Sequence, residues 1–201
     1  MEARELAERK VRYFTTVSHH SPDIEVWAKG LKTAQEWLRL IDAPNVSEPE
    51  LTAFIKVIHV HRWHTSGWAH MAYEVYQWAQ AQGIALPARE EFFAHESLRT
   101  FDGLTQLERA NKLVELFKRN THEDPDYEPW QKGLAFSEQW LALLQSEDLT
   151  EQIVMALVRD VSLYSRRNCD SLWSVLHLGV SRCAYQLGYA DQVRAMLRTV
   201  D

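Results

Sequence analysis

SEPELTAFIKVIHVHRWHTSGWAHMAYEVYQWAQAQG, residues 47–83, is the stretch that decides the fold. Ser47 and Glu50 stand three positions apart, the spacing of a capping box, in which a hydroxyl and a carboxylate satisfy the free N–H groups of a helix start. From Leu51 to Gln82 apolar residues recur at helical spacing, and Gly83 offers the left-handed residue that closes a helix. The pattern predicts one long helix, with Ser66-Gly67 as the place where it bends or splits.

The same signals extend in both directions. Glu2 to Val17 is amphipathic. Ser21-Pro22-Asp23 reads as an N-cap, a first-turn proline and a favourable charge, opening a helix that runs to about Ile41. Downstream, Pro87 to Leu98 is a short helix and Thr105 with Glu108 a second capping box, for a helix ending near Asn120. The acidic stretch Thr121 to Pro129 is a solvated loop. Helices follow over Trp130–Gln145, Leu149–Ser165, Ser171–Leu187 and Asp191–Val200. No run alternates with period two for long enough to make a strand. The expected fold is all-α, a multi-helix bundle or stacked helical hairpins of eight to nine helices. One domain spans residues 1–201, with a soft subdivision near 121–129. The closing pair of helices has the flavour of a hairpin repeat, but no fixed period is expected upstream, and the tetratricopeptide spacing is not met.

Composition supports this picture. The 201 residues include 8 Trp and 9 His but only 7 Gly and 6 Pro, many rings and few chain-breakers. The net charge of −6 carries no basic block, the densest cluster being Arg159, Arg166 and Arg167. A nucleic-acid partner, which needs a basic stripe, is therefore not expected. The charged N-terminus offers no signal-peptide core, and no stretch approaches the ~20 apolar residues of a membrane span. Cys169 and Cys183, both in or beside one helix, would sit on the order of 20 Å apart, so reduced thiols and a cytoplasmic location are expected.

Three constellations bear on chemistry. If residues 59–74 form one helix, His59, Trp63, His70 and Glu74 share a face, while His61, His64 and Trp68 share the opposite one. His70 and Glu74 are one turn apart, so the carboxylate is placed to orient the imidazole. This is a candidate polar site. The same spacing also suits an apolar central helix whose rings each make a single hydrogen bond. Metal-ligand signatures are absent, so no metal and no cofactor is expected. Cys169, beside Arg166 and Arg167, has surroundings that lower a thiol pKa, but Asp170 opposes them and an inert thiol is expected. The acidic loop lacks the frame of a calcium site. No catalytic residue is nominated.

Two functional classes remain. One is a non-catalytic helical interaction protein: an adaptor, chaperone-like factor, inhibitor or complex subunit, with a protein partner or a second copy of itself. The other is an enzyme or a ligand- or metal-binding bundle with a polar core site around His59, His70 and Glu74.

Overall fold

A computed structural model describes residues 2–93, 101–146, 150–168 and 171–199. The described residues form ten α-helices and no strand, so the chain is an all-α bundle. It divides into two compact units, Met1–His95 and Glu96–Asp201. The division lies at 95/96; the stretch 121–129, where a soft subdivision is expected, falls inside the second unit.

The first unit comprises α1 (Ala3–His20), α2 (Glu25–Asp42), α3 (Glu48–His61), α4 (Ser66–Ala81) and the single turn α5 (Arg89–Phe92). Helix α1 packs along α2, α3 against α4, and α4 crosses back onto α1. Their shared core holds Phe14, Trp37, Ile58, Trp68 and Met71, all fully buried. The indole N–H of Trp68 donates to the carbonyl of Val26 at 3.2 Å, fixing α4 to the start of α2. The second unit comprises α6 (Gln106–Glu123), α7 (Glu128–Gln145), α8 (Glu151–Arg167), α9 (Ser171–Gln186) and α10 (Ala190–Thr199). There α6 pairs with α7, α8 with α9, α9 with α6, and α10 packs on α8 and α9.

The second unit repeats the first. Helices α1 and α6 begin and end 103 residues apart (106 − 3, 123 − 20), as do α2 and α7 (128 − 25, 145 − 42). Helix α8, with 17 residues, is longer than its counterpart α3, with 14, and α4 and α9 are offset by 105 (171 − 66, 186 − 81). At these offsets Phe14, Trp27, Gly30 and Trp37 recur as Phe117, Trp130, Gly133 and Trp140, and Trp68 and Gly83 as Trp173 and Gly188. Turn geometry recurs as well. Ile24 N–H donates to the Ser21 carbonyl and Trp27 N–H to Ile24; Tyr127 donates to Asp124 and Trp130 to Tyr127. Gly83 (φ 77°) and Gly188 (φ 91°) each end a helix in the left-handed conformation. The next residue closes the turn, Ile84 onto Ala79 and Tyr189 onto Ala184. A fixed period therefore does exist, and it is the length of a whole unit rather than of one hairpin.

One local expectation is sharpened and two are corrected. The helical pattern over 51–82 does split at the Ser66-Gly67 signal, but the break occupies residues 62–65 just ahead of it: Thr65 caps α4, its hydroxyl accepting from Trp68 N–H at 3.3 Å. Ser21 does not cap α2; Pro22-Asp23 lies in the inter-helix turn, and α2 starts at Glu25 after an uncapped Ile24. The acidic stretch is not a solvated loop, because α6 continues to Glu123 and Asp124 and Tyr127 are buried in the matching turn. The Thr105–Glu108 capping box is present in both directions. Of the short helix expected over 87–98, α5 accounts for Arg89–Phe92, and residues 94–98 lie outside the described residues. No helix among the described residues is long and apolar enough to cross a membrane.

Candidate functional site

On α1, Arg9, Lys10 and Tyr13 fall within little more than one turn; on α4, Gly67, His70 and Glu74 form a stripe at spacings of three and four. Because α4 crosses α1, the two sets meet. Arg9, Lys10, Tyr13, His70 and Glu74 line an open cleft of about 440 Å³. The Tyr13 ring lies on the backbone of Gly67, where any side chain would collide with it.

Glu74 is the hub of this cleft. Its Oε1 accepts from Arg9 Nη2 at 2.6 Å, and its Oε2 lies 3.2 Å from Lys10 Nζ. Lys10 is only 7% exposed. Burial pushes its ammonium below the usual lysine range, and the adjacent Glu74 partly restores it. His70 and Tyr13 are exposed at the rim.

The structure thus brings together two of the four expected site residues. His70 and Glu74 share the cleft, but the partners of Glu74 are Arg9 and Lys10 rather than the imidazole. His59 and Trp63 stand elsewhere, since the turn at 62–65 breaks the common face. The His59 ring packs on Phe92 at 4.9 Å and Trp63 on Phe93 at 6.4 Å. The opposite set does assemble: His61 and His64 are buried in contact with each other, and His61 stacks on Trp68 at 4.9 Å. Among the described residues no three His, Cys, Asp or Glu side chains converge as a metal site would require. Cys169 lies outside the described residues; Cys183 is buried, which raises its thiol pKa.

Arg9, Lys10 and Tyr13 escape a reading of one helix at a time. The signal that finds them is the repeat. In the second unit the equivalents of Lys10, Tyr13, Gly67, His70 and Glu74 are Leu113, Leu116, Leu172, Val175 and Gly179. The four apolar side chains are buried, and the Trp140 ring covers Gly179. Only the charge of Arg9 persists, as Lys112, whose ammonium stands 5.3 Å from the Phe101 ring centre. One seam is polar and the other apolar on the same frame. No family model, curated protein or solved structure matches this chain.

Proposed function

We propose that this chain is a non-catalytic helical interaction protein, of the adaptor or complex-subunit kind, and that it takes a protein partner at the α1–α4 cleft of the first unit. The observation that carries the reading is the contrast between the two seams. A buried ion pair stabilises a helix contact no better than well-packed apolar side chains do. The second unit makes the same α-helical contact with leucines and a valine, so folding alone gives no reason for Lys10 and Glu74 to sit inside the first. A surface observation adds support. Tyr73 on α4 and Leu178 on α9 occupy equivalent positions, and both are exposed large apolar residues. Of the two, Tyr73 is the residue type that concentrates binding energy at interfaces, and it lies on α4, the helix that forms one wall of the cleft.

The competing class, a catalytic or ligand-binding core around His59, His70 and Glu74, is weakened by the separation of His59 from the other two. Quantitative affinity capture with the wild-type chain and with Arg9→Gln/His70→Val tests the proposal. A protein, or a second copy of this chain, retained by the wild type and lost with the variant is the expected result. An identical retained set would place recognition elsewhere.

A further inference from the structure

We infer that the α1–α4 cleft receives an anionic oxygen group of the partner, a carboxylate or a phosphate, and that Glu74 fills that position as an internal stand-in until it is displaced from Arg9. The inference rests on reading the cleft as the recognition site. Arg9 and Lys10 bring two cations to a single carboxylate. The Lys10 side chain is 8% exposed, so little water solvates its ammonium, and Glu74 is the anion beside it. Arg9 is different: its side chain is 49% exposed, and one of a guanidinium's five donors is spent on Glu74. Tyr13 and His70 add a hydroxyl and an imidazole at the exposed rim. A local excess of cations runs against a chain whose net charge is −6. The second unit, with Leu113 and Gly179 in place of Lys10 and Glu74, has neither the buried cation nor the stand-in.

Removing the stand-in turns this into a rescue experiment. Glu74→Gln leaves Lys10 buried beside a neutral amide. Sodium acetate or sodium phosphate, added at constant ionic strength, is expected to supply the missing negative charge beside Arg9 and Lys10 and raise the melting temperature of Glu74→Gln saturably. In Lys10→Leu/Glu74→Gln no buried cation remains, and only the general effect of these salts on stability is expected. In the wild type the same anions should shift the Arg9 Nε–H resonance, with an affinity about tenfold weaker than in Glu74→Gln because Glu74 competes for one charge-assisted hydrogen bond. Arg9→Gln, altered at an exposed position, should fold and lose the binding. The anion giving the larger rescue identifies the group, carboxylate or phosphate. Equal responses of Glu74→Gln and the double variant, with a stationary Arg9 resonance, would overturn the inference. Should Glu74→Gln stay unfolded in every salt, the wild-type titration against Arg9→Gln decides alone. If no anion binds but Arg9→Gln/His70→Val still loses its captured partner, the ligand class is wrong and the recognition site stands. If capture is also unchanged, both fall.

Discussion

The ring of Phe14 rests on the backbone of Gly30, so close that a methyl group at position 30 would overlap the ring carbons Cδ1 and Cε1. Phe117 makes the same contact with Gly133 in the second unit. The absence of a side chain is what lets α1 and α2, and α6 and α7, approach face to face. Gly30→Ala and Gly133→Ala should each destabilise the protein by about 1–3 kcal/mol through overpacking. Chemical denaturation measures this, and Phe14→Leu should recover part of the loss in Gly30→Ala, since the two positions are in direct contact. Unchanged stability in both alanine variants would mean that the rings yield freely.

Lys10 gives an inverted pH dependence. Its pKa in the folded chain lies below the ordinary 10.5, with burial as the largest cause. The unfolded chain therefore holds the proton more tightly, and the burial penalty is fully present below the folded value. As pH rises through the folded value toward 10.5, the penalty is relieved and this group's contribution to stability increases. The unfolding free energy of the wild type minus that of Lys10→Leu should rise across that window. A flat or falling difference would show that Glu74 fully offsets the burial.

Glu74→Gln should cost about 3 kcal/mol at neutral pH, because it leaves a buried ammonium without its carboxylate. Adding Lys10→Leu should restore most of that loss by copying the Leu113 seam of the second unit. Failure of the double variant to recover would locate the role of Glu74 in Arg9 alone.

The helices were legible because caps and apolar spacing are local. Thr105 with Glu108 and Gly83 mark helix ends whatever surrounds them. The break at 62–65 was harder, since His61, Trp63 and His64 continue the apolar rhythm, and only the Thr65 cap marks the new start. The repeat is hard to read in the sequence because its identities sit at packing positions such as Phe14, Gly30 and Trp37, scattered through a unit of about a hundred residues. For the cleft, His70 and Glu74 were visible as one helical turn. Arg9 and Lys10 reach them only through the crossing of α1 and α4, a tertiary contact that helical periodicity does not encode.

His177 should make the second unit acid-sensitive. Burial and the nearby Arg166 hold its imidazole below the usual value of 6.5, and its Nε2 lies 2.9 Å from Ser162 Oγ. The unfolded chain takes up a proton first, so stability falls as pH drops from 6.5 through the lower folded value. The first unit has Ala72 at the equivalent position. His177→Ala should therefore flatten the pH dependence between those limits, measured as the difference in unfolding free energy from the wild type. A difference independent of pH would show that His177 remains neutral in both states there.

Trp140 and Trp63 should respond oppositely to truncation, although both occur in apolar-looking helical sequence. Trp140 is fully buried, with its ring over Gly179, so Trp140→Ala removes that ring and leaves a cavity between α7 and α9. A loss of about 3–5 kcal/mol is expected, a large fraction of the stability of an ordinary domain. Trp63, by contrast, lies in the turn after α3 with 36% of its surface exposed. Its ring touches Phe93 at the edge rather than filling the core, so less apolar area returns to water on truncation. Trp63→Ala should cost about 1–2 kcal/mol, less than a fully buried Trp, because its partly exposed ring leaves no enclosed cavity. Thermal melts of the two variants decide the matter. A cost for Trp63→Ala equal to that of Trp140→Ala would mean that the α3–α4 turn anchors the first unit as firmly as its buried core.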